Sequence, residues 1–216
     1  MIHPDTEVKE VNARVGLGVF VTRSIRQGEL VWVLDPLDRR LSMEEVASLP
    51  PALREEVERR CYINGDGRPV FCWDAGRLTN HSCDPNTLAL GFSFEIARRD
   101  IEAGEQLTCD YATLNMTGSF LCVCGSPGCR GRVSAADGAA LVGRWDDWTR
   151  EALRRAATVE QVLLPYADPV PSERVIVEAL RARLIPRPPP AALVLAGAHR
   201  GYRPTGIDNG RLWTLV

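Results

Sequence analysis

Three cysteines, Cys122, Cys124 and Cys129, spaced C-x-C-x4-C in FLCVCGSPGCRG, constrain this chain more than any other feature. The segment is rich in glycine and tight turns, so three thiolates can converge on one point. A structural zinc takes four ligands in a closed tetrahedron, and this segment offers three. The fourth must come from elsewhere, which would tie a local loop to a distant part of the chain. Four further cysteines are scattered at Cys61, Cys72, Cys83 and Cys109. The total of seven is odd, and the start, MIHPDTEVKE, is acidic and polar where an export signal is basic and then apolar. A disulfide framework is therefore not expected, and metal binding is.

With 216 residues, of which 45% are hydrophobic, the chain suits one ordinary domain with an appendage, or two small ones. The sequence holds no run of 18 or more apolar residues, so no membrane partner is expected and the reading is a cytoplasmic protein, or a nuclear one in a eukaryote. A formal net charge of −2 argues against direct nucleic-acid binding through the overall field. All but one of the 26 basic residues are arginine, a skew that reads as a GC-rich bacterial genome.

The apolar pattern changes period along the chain. Val19 to Val21 and Glu29 to Leu34 read as short strands, followed by a helical insert at about 38–66 in which Ser42 and Glu45 are spaced as a capping box and Pro51 opens a second helix. Pro69 to Trp73, Leu88 to Ala97 and Gln106 to Tyr111 each read as a strand. Two turns share I-x-x-G-E, Ile25 to Glu29 and Ile101 to Glu105, where glycine accepts a positive φ. After Arg132 the text becomes helical: Ala139 to Ala157, a helix capped by Thr158 and Gln161, and another from Glu173 to Leu184. Pro186 to Pro190 reads as a stiff linker and Asp208-Asn209-Gly210 as a turn before a last strand, RLWTLV. Cys61 and Cys72 read as small buried apolar residues, Trp145 and Trp148 as helix packing, His3 and His199 as solvated, and Arg98-Arg99 as a solvated turn.

Four segments, GLGVFVTRSIRQGE, RLTNHSCDPN, EQLTCDYA and CVCGSPGCRG, occur in the order and spacing of the SET-domain protein lysine methyltransferases, and residues 8 to 132 resemble that family. The resemblance implies a mainly β fold of short strands in small sheets with a knot-like C-terminal segment: a SET domain over 8–115, a post-SET zinc segment over 116–132, and a mostly helical extension over 133–216 of unnamed role. It implies S-adenosylmethionine held by Asn80 and His81 with backbone around Gly16, Leu17 and Gly18. It implies Tyr111 as the catalytic tyrosine, which also borders the cofactor, and Cys83 as the fourth zinc ligand beside Cys122, Cys124 and Cys129. The substrate implied is a protein with an exposed lysine, a histone or another. Cys109 departs from the pattern, since it stands where the family carries an aromatic residue. A thiol there widens the channel and favours di- or trimethylation, unless Trp73 or Phe92 fills the gap. Two other functions fit these residues: a noncatalytic SET-like binding module, and an N-methyltransferase for a small amine. The sequence leaves the oligomeric state open.

Overall fold

β1 (Thr6–Asn12, TEVKEVN) pairs antiparallel with β2 (Gly16–Val21). β2 buries Val19 and Val21, whereas β1 stays largely in solvent and is held by main-chain pairing. That is why β1 shows no apolar face in the sequence. The structure is a computed structural model and describes residues 1–116 and 118–186. The expected proline linker, His199 and the final strand lie outside the described residues, except that Pro186 is described.

β3 (Leu30–Val33) is wholly buried. The two I-x-x-G-E turns meet: Ile25 and Ile101 exchange backbone hydrogen bonds of 2.9 and 2.8 Å, with Gly28 and Gly104 at φ of 90° and 88°. In each turn the glutamate takes the N–H three residues back, Glu29 from Arg26 and Glu105 from Glu102.

The helical insert forms as its punctuation predicts. β4 (Arg39–Arg40) leads to α1 (Met43–Ser48), where the Ser42 hydroxyl accepts from the Glu45 N–H at 3.1 Å and the Glu45 carboxylate accepts from the Ser42 N–H at 2.6 Å. Pro51 then opens α2 (Pro51–Arg60). β5 (Tyr62–Ile63) and β6 (Pro69–Phe71) close the insert as a sheet ordered β4-β6-β5.

β7 (Asn80–His81) follows. The stretch expected as one strand at Leu88 to Ala97 is a hairpin of β8 (Thr87–Leu90) and β9 (Phe94–Ala97). Gly91, at φ 70°, makes the turn, and a Cβ there would collide with the Glu173 carboxylate, which accepts the Phe92 N–H at 2.8 Å. β10 (Thr108–Cys109) is shorter than expected. The Asp110 side chain accepts the Ala112 N–H at 3.1 Å and bends Tyr111 to Thr113 into a single 3-10 turn.

β11 (Ser119–Leu121) and β12 (Arg132–Ser134) bracket the cysteine segment, and α3 (Asp137–Ala156) and α4 (Arg174–Arg181) form the described part of the extension. Thr158 and Gln161 do not cap a helix. Gln161 instead reaches across the chain, accepting the Leu30 N–H at 2.9 Å and donating to Gly28 O at 2.8 Å. His3 is buried at 3% exposure rather than solvated, and its Nδ1 accepts the Asp5 N–H at 3.2 Å. Cys72 is buried and Cys61 half-buried; Arg99 is exposed, whereas Arg98 lies 4.3 Å over the Trp148 ring.

The largest core joins the sheet ordered β3-β9-β8 to α3 and α4, with Leu30, Phe94 and Ile96 packed in one cluster with Leu153, Leu163 and Ile176. The helices after residue 136 are thus part of the same hydrophobic core as the β-sheet. Leu153→Ala should therefore lower the unfolding free energy by about 2 to 5 kcal/mol in denaturant titration, as one shifted transition. An unchanged midpoint would contradict this shared core.

Candidate functional site

The segment NHSCDPN is positioned by strand pairing. β7 and β10 run parallel, with Asn80 opposite Thr108 and His81 opposite Cys109, and the Ser82 N–H donates to Cys109 O at 3.0 Å. Asn86, 2% exposed, holds the arrangement: its Oδ1 accepts the Thr108 N–H and its Nδ2 donates to Gln106 O, both at 2.9 Å. The pairing draws the chain after Leu107 in beside the central loop, the knot-like crossing of the C-terminal segment.

Both ring nitrogens of His81 are occupied. Nδ1 accepts the Tyr111 N–H at 3.1 Å, so the proton of the neutral ring sits on Nε2, which lies 3.3 Å from Cys83 Sγ and donates to it. Asp110 Oδ1, at 3.6 Å from Nδ1, is too far to compete. Burial, reinforced by the nearby Arg130 guanidinium, lowers the His81 pKa to about 3, so the ring is uncharged.

The cysteines converge as their spacing requires. Cys83 Sγ is 3.7 Å from Cys122 Sγ, and the Cys83 N–H donates to Cys124 Sγ at 3.4 Å. Ligand atoms of His81, Cys83, Cys122 and Cys124 all lie within 4.8 Å of one another. Cys129 packs in the same cluster, with its Sγ donating to Cys122 O at 3.6 Å. A metal-bound histidine carries its proton on the other ring nitrogen. His81 cannot do so while Nδ1 accepts from Tyr111, so it fits as a donor to Cys83, and Cys129, which packs against the cluster, is the candidate for the fourth ligand position. Donors already surround the sulfurs as they would surround thiolates. Burial opposes ionisation of Cys124, but hydrogen bonds from the Cys83 amide and from Ser126 outweigh it and lower the thiol to about 6.

Arg130 joins this cluster to the rest. Its N–H and Nε donate to Cys83 Sγ at 3.4 and 3.3 Å, its Nη2 to Asp110 Oδ1 at 2.6 Å, and its Nη1 pairs with Asp137 at 3.3 Å. One guanidinium thereby connects a cysteine, the residue before Tyr111 and the first turn of α3.

A cavity of about 480 Å³ lies between the helical insert and the sheet, and Tyr111, Cys109, Glu95, Phe92 and Thr79 are among its walls. The Tyr111 hydroxyl donates to Thr79 O at 2.9 Å. Burial drives the phenol pKa well up, so the hydroxyl keeps its proton. The buried Cys109 thiol donates to Glu95. Of the two aromatics expected to fill space near Cys109, Phe92 lines the cavity, whereas Trp73 is 44% exposed and donates from Nε1 to Asp35.

Gly16, Leu17 and Gly18 stand at the start of β2 and are not among the residues lining that cavity. Asn80 Nδ2 donates to Leu17 O at 3.0 Å, and a Cβ on Gly18 would stand 2.9 Å from Asn80 Nδ2. Gln106 Nε2 is buried there without a partner, an orphaned donor beside the glycines.

Residues 16–112 match the SET domain family. The match takes in 97 of the chain's 216 residues. The chain is 29% identical over 140 residues, 58% of its length, to the variant-silencing SET domain-containing protein of Plasmodium falciparum. It is 32% identical over 141 residues, 55% of its length, to the histone-lysine N-methyltransferase TRX1 of Oryza sativa. It spans 5% and 13% of the length of those two relatives. A solved Plasmodium falciparum structure, described as a candidate histone methyltransferase, is similar over 51% of this chain and 95% of that one, at 20% identity and TM-score 0.40.

Within the matched span and the cysteine segment after it, the structure assigns contacts to residues that sequence reading passed over. Arg130 lies inside the quoted cysteine motif, but its reach to Asp110 follows only from the fold. Asn86 and Gln106 read as loop and strand residues. Glu95 did leave a signal, a single acid inside the otherwise apolar strand FSFEIA.

Two outcomes follow for this region. Metal analysis of the purified chain should find one equivalent of zinc that His81→Gln keeps and Cys129→Ser loses, and chelation should lower the thermal midpoint. Retention of zinc by Cys129→Ser with loss in His81→Gln would reverse the ligand assignment. The second concerns Glu95, whose carboxyl is pushed up by burial to about 7 from an ordinary 4.5, against hydrogen bonds from Thr87 and Cys109. The folded state holds that proton more tightly than the unfolded chain, so this contribution to stability is complete below pH 4.5 and is lost as pH rises through 7. Glu95→Gln should gain on the parent by about 3 kcal/mol between pH 4.5 and 8 in denaturant titrations. A constant difference across that range would contradict it.

Proposed function

We propose that this protein is an S-adenosylmethionine-dependent methyltransferase that transfers methyl groups to the side-chain amine of lysine in a protein, a histone or another, and reaches di- or trimethylation. The observation that carries the reading is Tyr111: its hydroxyl borders the cavity, while its backbone is tied through His81 to the loop whose Asn80 meets the glycines of β2. Substrate entering by the cavity and cofactor seated by the glycines would meet at that hydroxyl.

S-adenosylmethionine supplies an electrophilic methyl group on a sulfonium. Asn80, Gln106 and the backbone of Gly16, Leu17 and Gly18 would hold it. The orphaned Gln106 donor fits such a role, and the missing Cβ of Gly18 is what lets Gln106 and Asn80 approach the strand. His81 contributes by position, since its side chain is committed to Tyr111 and Cys83. A structural zinc at Cys83, Cys122, Cys124 and Cys129 would cross-link the post-SET segment to the central loop and add directly to folding free energy.

The amine must be neutral and aligned. Deprotonating a free lysine of pKa near 10.4 at pH 7 costs about 4 to 5 kcal/mol. Orientation of reactants is worth about 7 to 11 kcal/mol. Tyr111 stays protonated, so it serves as an orienting group and not a base: it donates to Thr79 O and keeps lone pairs for an amine N–H.

The test is transfer of labelled methyl from S-adenosylmethionine into histones, host-cell proteins and small amines. Label should enter protein lysine, and Tyr111→Phe should reduce it by roughly a hundredfold. Mass spectrometry should count two or three methyl groups for the parent and fewer for Cys109→Tyr. Label in a small amine alone would overturn the protein substrate, and zinc-loaded chain that does not bind the cofactor would favour a noncatalytic module. Single methylation by the parent, unchanged in Cys109→Tyr, would contradict the wide channel.

A further inference from the structure

β9 puts one acid among apolar neighbours. In FSFEIA, Phe94 and Ile96 face the core, while Glu95 turns the other way, into the wall of the cavity that Cys109 and Tyr111 also line. Its Oε2 accepts from the Thr87 hydroxyl at 3.0 Å, and the Cys109 thiol donates to the same carboxyl. Both partners are neutral. A carboxylate taken out of water is costly unless a cation meets it.

The cavity does contain cations, but each is engaged elsewhere. Arg54 donates to Ala47 O and Leu49 O at 2.8 and 3.1 Å. Arg59 pairs with Glu55 and Glu56 at 3.4 and 3.3 Å, and Arg60 with Glu56 at 2.9 Å. Arg77 donates to the carbonyls of Trp73 and Asp74. The ionisable groups that interact with Glu95 are the Cys109 thiol on β10 and the Tyr111 phenol after it, both uncharged, while β3 places Trp32 opposite it in the sheet. Glu58, also in the cavity wall, is a second acid and supplies no counter-charge.

We propose that Glu95 is the specificity residue of the channel, the anion that receives the positively charged head of the substrate. This rests on the lysine methyltransferase reading and names what selects the substrate within it. An alkylammonium entering the cavity would supply the missing counter-charge, and it would find it beside the thiol and hydroxyl that border the reacting position. The preference extends past the first methyl, because a methylated amine still carries a positive charge when protonated. The gap left by Cys109 and the charge of Glu95 thus act together, one admitting a larger head and the other holding it. Burial, which raises the Glu95 carboxyl to about 7, makes the site sensitive to pH: it attracts cations above that value and loses the attraction below it.

The test needs no methyl donor. The zinc-loaded full chain would be titrated with n-butylammonium, a copy of the end of a lysine side chain, and with 1-pentanol as its neutral counterpart, each followed by NMR shifts of the backbone amides. At pH 8 the chain should prefer the cation by roughly tenfold or more, a preference that Glu95→Gln abolishes. In the parent chain the preference should fade between pH 8 and pH 6, a readout that does not depend on how well the variant folds. Equal binding of the two probes, no binding of the ammonium, or a preference that survives in Glu95→Gln or at pH 6 would overturn the proposal. Ammonium selectivity without methyl transfer would leave Glu95 in place and remove the enzymatic reading; methyl transfer without ammonium selectivity would do the reverse.

Discussion

One neutral imidazole holds the site together. His81 accepts a hydrogen bond from the backbone of Tyr111 and donates one to Cys83, so the aromatic residue at the cavity and the cysteine at the proposed metal site are fixed by the same ring. Its tautomer is set by the Tyr111 amide, and its lack of charge by burial. The parallel pairing of Asn80-His81 with Thr108-Cys109 makes this possible, because it brings residues about thirty positions apart into register. Remove the pairing, and the Asn80 loop, the tyrosine and the cysteines become three unrelated features.

Arg130 extends the same connection outward. By donating to Cys83, bonding Asp110 and pairing with Asp137, it joins the cysteine segment to the start of the long helix. That helix buries Trp145 against Phe120 and Cys122 at one end and Leu153 in the main core at the other. Gln161 then returns to the backbone around Gly28 and Leu30. The region after residue 136 therefore supports the sheet that carries Glu95, and stability of the site depends on helices outside the SET domain match.

Local features were legible in the sequence where local chemistry decides the structure. The Ser42–Glu45 capping box, the proline that opens the second insert helix and the glycine of each I-x-x-G-E turn follow from short-range rules, whereas the pairing of those two turns does not. So did convergence of the cysteines, whose spacing leaves little freedom. Features decided by distant contacts were not legible. The Gly91 turn is fixed by Glu173 from the far end of the chain, Gln161 serves a strand and not a helix cap, and His3 is buried beneath Val31 pairing. The first strand escaped notice because it buries almost nothing. Glu95 was visible as an acid in an apolar strand, but its importance depends on four arginines being occupied elsewhere, which no linear pattern states.

The central claim, that His81 braces the site as a hydrogen-bond donor while four cysteines close the metal site, is tested most directly by X-ray absorption at the zinc edge of the metal-loaded chain. The account predicts four sulfur neighbours at about 2.3 Å and no nitrogen in the first coordination sphere. Three sulfurs with one nitrogen near about 2.0 Å would contradict it, because His81 would then be a ligand and could not hold Tyr111 as described.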